Sequence, residues 1–221
     1  MNTKEKNNHK KLKYNFKEEE PAHAEEPFLL HLDNTKRYTY ADYLTWVDDK
    51  RRELIDGFIY LMSAPKCIHA KISAEVIFFI QIFIKKRKRK CQVFHAPFDV
   101  RLPVKGLKAD DEIYDVVQPD ICVVCDSSKL DERGCIGTPD LMVEVLSAST
   151  YKKDWTKKYV LYEQAGVREY WIVDPIEERV HVFLLQPNGK FDEGTTYECP
   201  EKAPVHIFEG LKIDLKELFG K

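Results

Sequence analysis

A carboxylate stands in the middle of a short apolar run, Leu141-Met142-Val143-Glu144-Val145-Leu146. Ionised glutamate is almost never fully buried without a partner, because removing water from the charge costs several kcal/mol. If the run is a strand, Asp140 shares its face with Glu144 but lies about 13 Å away, too far to share one ion. A partner must therefore come from a neighbouring strand. Gln118-Pro119-Asp120-Ile121 opens the preceding apolar run, and adjacent strands lie about 4.8 Å apart. Two carboxylates at that separation raise each other's pKa unless a cation sits between them, and oxygen donors of this kind suit Mg²⁺ or Mn²⁺. Glu53 is a third candidate. Each residue also has a plainer reading. Glu144 could pair with a core-facing Lys or Arg, Asp120 could cap a turn after proline, and Glu53 could be solvated or paired with Arg51 or Arg52.

Lys158 is the basic group of interest. Tyr151, Asp154, Trp155, Lys158, Leu161, Tyr162 and Ala165 form one helical stripe, which puts Lys158 inward and Lys153, Lys157 and Gln164 toward solvent. A lysine stem packed on a sheet can extend its ammonium toward carboxylates; the alternative is an i, i+4 pair with Asp154. The run Lys85-Lys86-Arg87-Lys88-Arg89-Lys90 is either a phosphate contact or a solvated helix end complementing the helix dipole. His69 reads as a packed core histidine ahead of a second acid-base group, and Tyr170 and Trp171 as core ahead of base-stacking groups. Cys122 and Cys125 form a C-x-x-C on an apolar strand, where positions three apart face opposite ways. They read as buried free thiols of a reducing compartment, not as a zinc site.

The elements that must position these groups follow from turns and periodicity. Thr39 is an N-cap for a helix through Val47, with Leu44 and Val47 inward. Asp56-Gly57 marks a hairpin between Arg52–Ile55 and Phe58–Met62. Apolar residues at 68, 72, 76, 79, 80, 83 and 84 predict a helix over 68–84. Strands are expected around Val93–Leu102, Val116–Cys125 and Asp140–Leu146. A helix follows from about Lys152 to Gln164, stopped by Gly166. Strands Glu169–Val173 and Arg179–Leu185, a turn at Asn188-Gly189 and a helix Leu215–Phe219 capped by Asp214 complete the chain. This order is a mixed α/β (α+β) architecture, one central mixed sheet flanked by helices.

The chain has 221 residues, enough for one domain with a proper core. Residues 1–26, rich in Lys, Asn and Glu, read as a poorly ordered tail, leaving a single domain over 27–221. A formal net charge of -2 neither requires nor excludes a nucleic-acid partner, which needs a basic patch and not a basic total. The start Met1–Lys13 lacks the apolar stretch of a secretory signal. The longest apolar run, Val76–Ile84, is broken by Gln81 and falls short of the roughly 20 residues of a membrane span. No membrane partner is expected, and the cytoplasm is the expected compartment.

Glu53-Leu54-Ile55-Asp56-Gly57, Pro119-Asp120, Val143-Glu144-Val145-Leu146-Ser147-Ala148-Ser149, Asp154-x3-Lys158-x3-Tyr162 and Glu169-Tyr170-Trp171-Ile172-Val173-Asp174-Pro175 together resemble the Uma-type restriction endonuclease family of the PD-(D/E)XK nuclease superfamily. The resemblance runs from about Tyr38 to Leu185. It implies a restriction-endonuclease-like fold and metal-dependent phosphodiester hydrolysis; with double-stranded DNA as the expected substrate, cutting both strands favours a homodimer with two sites related by a two-fold axis. It implies a site of Glu53, Asp120, Glu144 and Lys158, with Mg²⁺ or Mn²⁺ held by Asp120, Glu144 and the Val145 carbonyl; the charge run, read as a phosphate contact, would add DNA contacts from Lys85, Lys86, Arg87 and Lys88. One departure stands out: the superfamily pattern has a lysine two residues after the acidic residue, where this chain has Leu146. Lys158 would be its migrated replacement. The same departure favours the rival reading, a nucleic-acid-binding module that keeps the fold without cleaving.

Overall fold

The computed structural model describes residues 32–103, 106, 109–148 and 150–221, so the N-terminal tail expected over 1–26 lies outside the described residues. The mixed α+β architecture with flanking helices is as expected; its strands divide into two six-stranded sheets and a two-stranded ribbon. The first sheet joins β1 (Arg52–Ile55), β2 (Phe58–Leu61), β4 (Val100–Arg101), β5 (Val116–Val117), β7 (Leu130–Asp131) and β8 (Gly134–Ile136) in the order β2-β1-β5-β4-β8-β7. The second joins β3 (Gln92–His95), β6 (Ile121–Val124), β9 (Leu141–Val145), β10 (Glu169–Asp174), β11 (Arg179–Leu184) and β12 (Thr195–Glu198) in the order β12-β11-β10-β9-β6-β3. It is mixed: β9 and β10 run parallel, the other pairs antiparallel. Β13 (Lys202–Pro204) and β14 (Lys212–Asp214) form the ribbon.

The two sheets exchange strands at prolines. The expected strand over 93–102 divides into β3 and β4 around Pro97, and that over 116–125 into β5 and β6 around Pro119. Proline has no N–H to give a ladder, so each strand stops and the chain crosses to the other sheet. Pro119 is thus the joint that sets Asp120 where the chain passes from the first sheet to the second.

The β1–β2 hairpin forms as expected. Asp56 and Gly57 both have positive φ, 52° and 77°, as a two-residue primed turn demands. A Cβ on Gly57 would sit 2.9 Å from the Cβ of Arg37, so the hairpin tip is closed against the preceding segment. Helix α1 is shorter than expected, Tyr40–Tyr43, with Thr39 and Asp42 forming a capping box. Leu44 and Val47 are exposed, not inward. Tyr40 is buried instead, and Tyr38, Tyr43 and Trp46 pack around it with Leu54, Ile113 and Val116.

Helix α2 (Cys67–Lys86) lays Ile72, Val76 and Ile80 on the second sheet. By length and composition it is also apolar enough to cross a membrane, although its longest uninterrupted run is not. That face of the sheet, with Ile121, Val123, Val143, Val145, Trp171 and Val173, is closed by α2, the ribbon and α5 (Leu215–Phe219), which Asp214 caps. The opposite face carries Cys122, Met142, Leu146, Tyr170 and Ile172. It is covered by the β9–β10 crossover: α3 (Tyr151–Lys153), a π-helical turn (Asp154–Lys158) and α4 (Tyr159–Ala165) in one continuous rod. Gly166, at φ 82°, ends it as expected. Cys122 and Cys125 do face opposite ways, but Cys125 is not a free thiol. The β3–β6 register runs one step past Gln92↔Val124, which sets Cys91 opposite Cys125, and the two form a disulfide.

Candidate active site

β6 and β9 pair antiparallel with Ile121 opposite Val143. One step further places Asp120 opposite Glu144, on the same face, where directly opposed residues hold their Cβ atoms about 4.5–5.5 Å apart. The side chains are oriented through one oxygen each. Asp120 Oδ2 accepts from the Val145 N–H at 2.8 Å and meets His69 Nε2 at 3.0 Å. Glu144 Oε1 accepts from Lys158 Nζ at 2.8 Å and from the Tyr162 hydroxyl at 2.7 Å. Among the described residues, the second oxygen of each has no hydrogen bond. In a strand the N–H and C=O of one residue point the same way, so the Val145 carbonyl also faces the Asp120 side.

Glu53 reaches the same cluster from β1 and is fully buried. Its Oε1 accepts from the Gln118 N–H at 3.0 Å and lies 2.8 Å from Lys158 Nζ, and its Oε2 accepts from Lys153 Nζ. Gln118 in turn holds Asp99 and Arg51 through its side-chain amide. The first sheet is thereby fastened to the site. Glu53 is neither solvated nor paired with Arg51 or Arg52.

The helix over the site departs from the expected phase. Lys158 is only 2% exposed and faces inward. Its i, i+4 neighbour Asp154 is 3.9 Å away, against 2.8 Å for Glu53 and Glu144. Lys153, expected in solvent, also points inward, while Tyr151, expected inward, is exposed. The π-helical turn Asp154–Lys158 explains both. A turn closed at i+5 brings 153 and 158 onto one face, and such bulges recur at functional sites. Lys157 does stay outside, near the Tyr60 ring.

The electrostatics follow from one shared lysine. Burial works against charge on Glu53, but Lys158 and Lys153 outweigh it and hold its pKa below the ordinary range. Burial pushes Glu144 up to about 8; Lys158 opposes this, while Asp154, Asp120 and Glu53 add to it. Burial likewise raises Asp154 against the pull of Lys158, and its Oδ1 is buried without a hydrogen bond. Lys158 is held well above its usual value, because the carboxylates outweigh its own burial. Burial disfavours charge on His69, yet the hydrogen bond and charge of Asp120 raise its pKa. The cluster is short of positive charge around Glu144.

That shortage, with the partnerless oxygens of Asp120 and Glu144, fits a divalent cation. Among the described residues no three His, Cys, Asp or Glu side chains converge to cage an ion. Mg²⁺ commonly takes one or two carboxylates and keeps waters or substrate phosphates for the rest. Glu53, engaged by two lysines and a backbone N–H, positions the lysines.

The remaining sequence candidates fall outside the cluster. Lys85, Lys86, Arg87 and Lys88 stand at the far end of α2 from His69, about 25 Å away at 1.5 Å per residue. Leu146, where the superfamily pattern has lysine, is buried in the apolar cluster on that face of the sheet. Lys153 was expected in solvent, and His69 as core packing ahead of an acid-base role in the site. Position 69 extends the stripe of 72, 76 and 80 and so looks like packing, and the phase of Lys153 depends on a π turn that no residue pattern announces.

The family model for Uma2, described as "Putative restriction endonuclease", matches residues 40–216. Among solved structures, one similar chain is a protein from Anabaena variabilis ATCC 29413 described as "a putative nuclease belonging to DUF820". It is 24% identical, the match covers 82% of this chain and 97% of that one, and the TM-score is 0.65. This likeness establishes the restriction-endonuclease-like fold. No curated protein matches.

Proposed function

From membership in the Uma2 family of restriction endonucleases, to which the match over residues 40–216 assigns the chain, we propose that this protein is a divalent-metal-dependent endonuclease hydrolysing DNA phosphodiester bonds. The observation that carries the reading is the opposition of Asp120 and Glu144 on neighbouring strands with Lys158 Nζ 2.8 Å from Glu144. Asp120, Glu144 and the Val145 carbonyl would hold Mg²⁺ or Mn²⁺. Bound there, the ion would polarise the scissile phosphate and lower the pKa of a coordinated water.

The chain's own groups do the rest. Lys158, held charged by its carboxylates, places a fixed positive charge where negative charge develops on the phosphate, a role typically worth 10²–10³ in rate. Glu53 fixes Lys158 and Lys153 through its two oxygens. Tyr162 orients Glu144. Lysine thus enters from the crossover helix in place of the strand position occupied by Leu146. The basic run at the end of α2 would meet phosphates about 7 base pairs from the scissile one, at 3.4 Å per step. Cutting both strands of a duplex favours a homodimer with its two sites related by a two-fold axis.

A specific observation favours the rival, non-cleaving module: Lys158 is shared between two buried carboxylates and could be a closed structural pair. Incubation of supercoiled plasmid and of RNA with Mg²⁺, Mn²⁺ or EDTA decides. Metal-dependent nicking or linearisation of plasmid supports the proposal, and linear product under single-hit conditions supports the dimer. Retention of DNA without cleavage in either metal supports the rival, and cleavage of RNA alone changes the substrate.

A further inference from the structure

We propose that His69 is a positioning residue that presets Asp120 for metal, an inference that rests on the metal-site reading above. His69 sits in the first turn of α2, in line with Ile72, Val76 and Ile80, at a place where packing alone would be served by an apolar side chain. Its ring instead ends on a carboxylate. Nε2 lies 3.0 Å from Asp120 Oδ2, and the Val145 N–H approaches the same oxygen at 2.8 Å.

Two donors on one oxygen fix the side-chain torsions of Asp120. They also leave Oδ1, which has no hydrogen bond among the described residues, as the oxygen open to a ligand. The donors come from different elements, helix α2 and strand β9. Without His69, Asp120 follows a proline at the end of a strand and retains the Val145 N–H alone. The role needs only an N–H on Nε2, which imidazolium and the Nε2–H tautomer of neutral imidazole both supply. Groups that orient a metal ligand in this way are commonly worth 10- to 100-fold in metal affinity.

The test is Mn²⁺ binding to the full chain without DNA, measured by isothermal titration calorimetry on wild type, His69→Leu, His69→Gln, Asp120→Asn and the double variant His69→Leu/Asp120→Asn. Folding is checked by circular dichroism. Expected are a loss of about 10- to 100-fold for His69→Leu, near wild-type affinity for His69→Gln, which keeps a donor of similar reach, and no further loss from His69→Leu once Asp120 is gone. Wild-type affinity in His69→Leu, beside weakened binding in Asp120→Asn, overturns the role of His69 alone. Losses that add in full in the double variant also overturn it, since His69 would then act without Asp120. Wild-type affinity in Asp120→Asn overturns the metal site itself. If His69→Leu does not fold, His69→Gln against the shorter His69→Asn decides: weaker binding by the shorter amide supports the proposal, and equal affinities overturn it.

Discussion

Replacing Lys158 by methionine keeps the buried stem and removes the ammonium that Glu53 and Glu144 share at 2.8 Å each. Deleting one partner of a buried ion pair costs about 3–5 kcal/mol, chiefly because a charge is left uncompensated. Glu53 keeps Lys153 and the Gln118 N–H, so most of the penalty falls on Glu144. That carboxyl, raised to about 8, already carries its proton for the most part at pH 7 and so avoids part of the cost, which places the loss near 3 kcal/mol. In a domain of this size 1 kcal/mol moves the thermal midpoint by about 2–4 °C, so the midpoint should fall by roughly 6–12 °C. At pH 9 the wild type has ionised Glu144 beside Lys158, whereas the variant must ionise it without a cation or stay protonated against the pH gradient. The deficit should therefore be larger at pH 9 than at pH 7. Lys157→Met, at an exposed position of the same helix, should stay within about 0.5 kcal/mol of wild type. Thermal unfolding in EDTA, followed by circular dichroism at both pH values, measures all of this. Equal midpoints for the two variants, or a deficit that shrinks toward pH 9, would refute the shared-lysine account.

Three further outcomes are expected. Since the folded-state pKa of Glu144 is raised to about 8 from an ordinary 4.5, the unfolded chain binds fewer protons between those values, and this group lowers stability as pH rises through that window. Glu144→Gln should flatten that part of the profile and raise the metal-free midpoint at pH 8–9; an unchanged slope in thermal melts counts against the buried charge. Lys153→Ala should lower both urea resistance and cleavage because Glu53 loses a partner, while Lys157→Ala should alter neither appreciably; reversed effects would contradict the π-helical phase. Thiol titration of the denatured chain should count four cysteines before reduction and six after, since Cys67, Cys122, Cys135 and Cys199 are free and Cys91–Cys125 is bonded. Closure of a 34-residue loop is worth about 4 kcal/mol in the chain-entropy account, so reduction should lower the unfolding midpoint. Six thiols at the outset would remove the disulfide.

Periodicity and turn chemistry carry local structure well in this chain. Asp56-Gly57, the α2 stripe, the Gly166 stop and the Asp214 cap are each decided within a few residues, and each appears where its residues place it. The pairing of Asp120 with Glu144 was legible because a two-residue alternation and one proline fix both face and depth. The division into two sheets was not, because strand continuity through Pro97 and Pro119 depends on which neighbour supplies the ladder. The inward turn of Lys153 was illegible for a related reason: helical stripes assume 3.6 residues per turn, and the stretch Asp154–Lys158 does not obey it. The same change of phase exposes Tyr151. The Cys91–Cys125 bond needed the β3–β6 register, which no local pattern contains.

The most direct test of the central claim is the plasmid cleavage rate of Glu144→Gln against wild type at saturating Mg²⁺ or Mn²⁺, with both proteins shown folded by thermal melting. Glutamine keeps the size of the side chain and can still accept from Lys158 and Tyr162, but it cannot offer a carboxylate oxygen to a cation. The account predicts metal-dependent cleavage by the wild type and a loss of at least about 10²-fold in the variant, despite equal or greater stability. Cleavage by Glu144→Gln at the wild-type rate would contradict it.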